Sequence, residues 1–196
     1  MKEFSYAVQA WKQDTCVEFE KIDPPSNELE AKKDALRVTA DEPGCASHPG
    51  KLGGEQPLIL GDGCESFAHI AHELGHALGL YHTMARHDRN KYVTVRPKTM
   101  EKKYRVELKK QTKKDNNNYG VGYDYGSIMH YPSKNVFSNY QPSIIPSDRR
   151  YMSTLGSEMI SFVDLWIVNK LYSCEGTIHF YIKAAKVTIT CQLHQK

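Results

Sequence analysis

The chain has 196 residues, 40% of them hydrophobic and 25% charged, a length and balance that suit one globular domain. Its net charge of +3 is too small to argue for a nucleic-acid partner. No stretch approaches the roughly 18 apolar residues of a transmembrane helix.

The opening MKEFSYAVQAWKQD lacks the apolar core of a signal peptide. Phe4, Val8 and Trp11 recur at helical spacing and predict a helix over 3–14. Residues 16–22 alternate, Val17 and Phe19 against Glu18 and Glu20, and predict a strand. Pro24 to Asn27 is a break. A second strand is expected over 36–39, and glycine-rich turns surround Cys45 and Gly53-Gly54. A third strand spans 57–60, and Pro57, which cannot donate to a ladder, puts it at a sheet edge. A helix follows over about 66–79, with Ser66 as a weak cap because no Glu or Gln stands three residues on. Residues 98–114 are rich in Lys and Arg and read as a solvated face. The stretch 116–122 is turn-prone, and 132–150, rich in Pro and Ser, reads as loop. A helix is expected over 157–172, capped by Ser157 and packing Phe162, Leu165, Trp166 and Tyr172 into the core. Residues 178–191 alternate loosely, as two strands of a hairpin would.

Beginning within the helix over 66–79, residues 72–82 read His-Glu-Leu-Gly-His-Ala-Leu-Gly-Leu-Tyr-His, an HExxHxxGxxH string. His72 and His76, four residues apart, stand on one helical face and can share a metal ion. Glu73 can reach a water held on that metal. Gly79 can adopt the left-handed conformation that ends a helix, letting His82 return as a third nitrogen ligand. Three histidines with an open fourth position are the catalytic form of a zinc site, and structural zinc sites close with four protein ligands. The longer string followed by a Met-turn is the metzincin signature. His48, His69, His87, His130, His179 and His194 fall outside this ligand set. Asp88 and Asp124 are available to orient a ligand histidine.

The second half of that signature stands at 123–131, Tyr-Asp-Tyr-Gly-Ser-Ile-Met-His-Tyr. SIMHY resembles the Met-turn of the astacin family of zinc endopeptidases. Arg86, Asp88, Arg89, Tyr92 and Val93 match the family string RxDRDxYV, with Asn90 in place of the second Asp. SFVDLWIVNKLY at 161–172 resembles the family's C-terminal helix. The resemblance covers about residues 4–174. It implies Met129 as the hydrophobic floor of the zinc site. It implies Tyr131 as the tyrosine that leaves the metal to stabilise the transition state. It also implies disulfides Cys16–Cys174 and Cys45–Cys64; four cysteines alone would leave three pairings open. Cys191 is left over, as a free thiol or the partner of a cysteine outside the chain.

By this resemblance the fold is α+β, a two-lobed metzincin domain. A mixed, mostly parallel sheet and the zinc helix would form one lobe. Loops, the Met-turn and a C-terminal helix would form the other. Residues 1–174 would be the peptidase domain, shortened at its N-terminus, and 175–196 an extension of unassigned role. The function implied is hydrolysis of internal peptide bonds of proteins or peptides by a secreted monomer holding one Zn2+. Glu73 and Tyr131 would be catalytic, and His72, His76 and His82 the ligands. Thr83 departs from the family, which carries Glu directly after the third histidine. That departure supports an alternative, a catalytically impaired zinc-binding protein that serves as a peptide-binding or structural module.

Overall fold

The computed structural model describes residues 2–23, 33–174 and 185–191. In chain order the elements are α1 (Lys2–Gln13), β1 (Val17–Ile22), β2 (Ala35–Thr39), β3 (Cys45–Ser47), β4 (Glu55–Leu60), α2 (Phe67–Ala77), β5 (Val93–Val95), β6 (Ile144–Pro146), α3 (Phe162–Leu171) and β7 (Ala185–Cys191). They divide between two compact units, one of Met1–Leu80 with Val168–Lys196, the other of Tyr81–Ile167.

In the first unit α1 buries Ala7 and Trp11, which share a helical face. The Trp11 indole N–H donates to the Ala71 carbonyl at 3.0 Å and seats α1 against α2. The sheet runs β1-β7-β2-β4-β3. Four strands are parallel, and β3 pairs antiparallel with β4. This is the mixed, mostly parallel sheet expected. Two details differ. β4 is interior rather than an edge, because β3 covers its second half. β3 stops at the Ser47–Leu58 pair, one residue short of Pro57, which is how an interior strand accommodates a proline. The second difference is β7. It lies between β1 and β2, parallel to both, so both its partners come from the first forty residues. The hairpin expected over 178–191 is therefore not how this strand pairs. Residues 178–184 and the break at Pro24 to Asn27 lie outside the described residues.

Two disulfides close loops in this unit, Cys16–Cys174 and Cys45–Cys64, the pairs the resemblance implies. No helix among the described residues is long and apolar enough to cross a membrane.

The second unit packs Met84, Val93, Met100, Leu108, Tyr123, Ile144 and Leu155 into one core. β5 and β6 form a two-stranded antiparallel ribbon across it. β6 falls within the stretch read as loop, because three residues ending in Pro146 show no alternation to detect. The basic stretch is solvated as expected: Met100 and Leu108 anchor it, while its lysines and arginines stay exposed.

Helix α3 begins at Phe162, later than expected, and Ser161 rather than Ser157 caps it. The Ser161 Oγ accepts the Asp164 N–H at 3.1 Å, and the Asp164 carboxylate accepts the Ser161 N–H at 2.9 Å, a reciprocal capping pair. Its buried face is also not the aromatic one. Phe162 is 74% exposed and Trp166 37%, whereas Asp164 and Val168 are buried. Asp164 takes a core position because its carboxylate also accepts from the Ser127 hydroxyl at 2.6 Å and the Ile128 N–H at 3.0 Å.

Candidate metal centre

Both ends of α2 are set by local hydrogen bonds. At its start the Ser66 Oγ accepts the His69 N–H, and the His69 ring Nδ1 lies 3.0 Å from the same hydroxyl. The imidazole thus braces the capping hydroxyl itself; it does not replace a Glu three residues on, which would accept the Ser66 N–H. At the C-terminus, Gly79 N–H bonds His76 O at 2.7 Å and Leu80 N–H bonds Gly75 O at 3.0 Å. Gly79 has φ +103, the left-handed residue of a Schellman ending. A Cβ there would also come within 2.6 Å of the Leu171 side chain.

Within that frame the His72 and His76 rings lie 4.7 Å apart and nearly perpendicular. The candidate ligand atoms of His72, His76 and His82 all lie within 4.8 Å of one another. His76 Nδ1 sits 2.7 Å from Leu80 O. A carbonyl can only accept, so Nδ1 carries the proton and Nε2 is the nitrogen a metal would take. His82 Nδ1 sits 3.2 Å from the Glu107 carboxylate, the same arrangement with a charged acceptor. Imidazoles held at Nδ1 by protein acceptors fit a zinc ion.

Glu73, next to His72, is 6% exposed. The Tyr131 ring lies 4.7 Å from that of His82. Met129 is buried, and its carbonyl accepts the Thr83 N–H at 2.9 Å. Thr83 also donates its hydroxyl to Ser127, which donates in turn to Asp164. The position that departs from the family thus feeds a buried relay ending at the cap of α3. Burial raises the Asp164 pKa above the usual carboxylate value, against the hydrogen bonds that would lower it.

Other histidines are engaged elsewhere: His69 with Ser66, His87 with Asn116, and His130 with Tyr123. His130 receives the Tyr123 hydroxyl at Nε2 and donates from Nδ1 to Tyr131 O, and burial pushes its pKa down to about 4. His179 and His194 lie outside the described residues. Neither acid expected beside a ligand takes that place. Asp88 pairs with the Arg86 guanidinium. Asp124 accepts the Gly126 N–H. The carboxylate beside a ligand is that of Glu107, which no local signal marks, since it stands in a lysine-rich stretch far along the chain from His82.

The family model described as Astacin, a family of peptidases, matches residues 1–173. The chain belongs to the astacin family. It is 37% identical over 175 residues to the zinc metalloproteinase nas-31 of Caenorhabditis elegans, a match covering 89% of this chain. It is 39% identical over 171 residues to dpy-31 of the same organism, covering 85% of this chain. The chain spans 27% of the length of nas-31 and 28% of dpy-31. Among solved structures it is similar to high choriolytic enzyme 1, a hatching enzyme zinc-protease from Oryzias latipes. That match has a TM-score of 0.76 and 31% identity, covering 89% of this chain and 82% of that one. The astacin fold is an α+β metzincin fold, the family's metal is zinc, and this chain carries a three-histidine group able to hold it.

Proposed function

We propose that this chain is the catalytic portion of a zinc-dependent endopeptidase that hydrolyses internal peptide bonds of proteins. The observation that carries the reading is the convergence of His72, His76 and His82 next to a buried Glu73. When bound, zinc polarises a carbonyl and acidifies a water. Glu73 acts as general base towards that water and then as general acid towards the leaving amine. The Tyr131 hydroxyl, beside His82, donates to the oxyanion that develops at the scissile carbonyl. Met129 lends the buried apolar floor. Residues 1–174 carry this chemistry, with 185–191 contributing a strand to the sheet. The two disulfides support a secreted setting, since such bonds persist in oxidising compartments.

The test is hydrolysis of a quenched fluorogenic peptide mixture by the oxidatively folded, zinc-loaded chain, with Glu73→Ala in parallel. Turnover that a chelator stops is expected, and Glu73→Ala should lose at least about 10²-fold while retaining zinc. Zinc held without turnover would favour a non-catalytic peptide-binding or structural role instead.

A further inference from the structure

We propose that Glu107 is a positioning residue for the metal: its carboxylate holds the Nδ1–H of His82 and so aims that ring's Nε2 at the zinc. The inference rests on the zinc-peptidase reading above. His82 is the ligand least fixed by helix geometry, because it follows the turn at Gly79 rather than lying on α2. His76 already has a main-chain acceptor in Leu80 O. Glu107 stands 3.2 Å from His82 Nδ1, on a short 3₁₀ helix, Lys102–Leu108.

That closeness is built rather than accidental. The buried Arg89 guanidinium donates both to Met84 O, just after His82, and to Leu108 O, just after Glu107. Gln111 N–H donates to Ala85 O at 2.7 Å. Three main-chain anchors therefore clamp the segment carrying Glu107 against the segment carrying His82. A carboxylate behind a ligand imidazole fixes its tautomer and orientation and makes it more basic, and loss of such a partner typically costs 10–100-fold in metal affinity. Glu107 is one of two acids in the lysine-rich stretch 98–114: Glu101 pairs with Lys103, and Glu107 faces His82.

The experiment is zinc affinity of the full chain by competition with a chromophoric chelator, for wild type, Glu107→Gln, Glu107→Asp, His82→Ala and the double variant His82→Ala/Glu107→Gln. Glu107→Gln should weaken zinc about 10–100-fold, and Glu107→Asp should recover part of the loss. The thermal midpoint of the metal-free protein should stay put. Once His82 is gone, Glu107→Gln should change nothing further. Glu107→Gln binding zinc like wild type, or weakening it equally in the absence of His82, overturns the proposal. A wild-type chain that binds no zinc sinks the site reading itself and Glu107 with it, an outcome distinct from an indifferent Glu107→Gln.

Discussion

Burying His130 in its neutral form ties the stability of this fold to pH. Its folded pKa of about 4 lies below the ordinary 6.5, because burial disfavours the charged ring. The unfolded chain therefore takes up the proton first. Stability is full above about 6.5 and falls as the pH drops towards about 4, by roughly 3 kcal/mol in all. Asp164 works in the opposite sense: burial raises its pKa, so the folded carboxyl holds its proton to a higher pH than the unfolded one. A comparison with His130→Gln removes that background. Urea unfolding of the metal-free protein between pH 4 and 6.5 should lose stability more steeply in wild type than in His130→Gln, by up to one proton. Parallel slopes would mean that the ring is solvated, and that Tyr123 and the Tyr131 carbonyl do not enclose it.

β7 decides whether the sheet of the first unit is continuous. It is paired on both sides, and Ile189 is opposite Lys21 of β1 and Leu36 of β2. A proline there removes an N–H and cannot sit in a central strand. Ile189→Pro should cost at least about 1–3 kcal/mol from the carbonyl left unpaired. Amide exchange should quicken in both β1 and β2. An unchanged unfolding midpoint with full protection of those two strands would remove β7 from the sheet. Elements differ in how far their own residues announce them. α2 is legible because its signals are local: the histidines at i and i+4, and a glycine at the position that must be left-handed. α3 is only half legible. Its aromatic periodicity is real, but it marks an exposed face, and the core position belongs to a capping acid. The strand over 185–191 shows itself as alternation, but nothing local says which two strands receive it. Glu107 is the same problem in a single residue, since its meaning depends on a contact that Arg89 builds across the chain.

The two disulfides restrain very different amounts of the molecule. Cys45–Cys64 closes a separation of 19 residues, and Cys16–Cys174 one of 158. The longer loop contains, in sequence, the whole of Tyr81–Ile167 together with α2 and most of the sheet. A cross-link acts mainly by restricting the unfolded chain, so its contribution grows with the logarithm of the loop it closes. The chain-entropy relation gives about 3 kcal/mol for the short loop and about 5 for the long one. Against a total stability of about 5–15 kcal/mol, the second figure is a large share. Cys16→Ser/Cys174→Ser should therefore lower the urea midpoint more than Cys45→Ser/Cys64→Ser. Paired substitution is preferable to reduction, because it leaves the remaining bridge intact. Equal losses would point to native-state strain or residual unfolded structure as the governing effect. A larger loss from the short loop would mean that the β3–β4 segment leading into α2, rather than closure of the whole chain, limits stability.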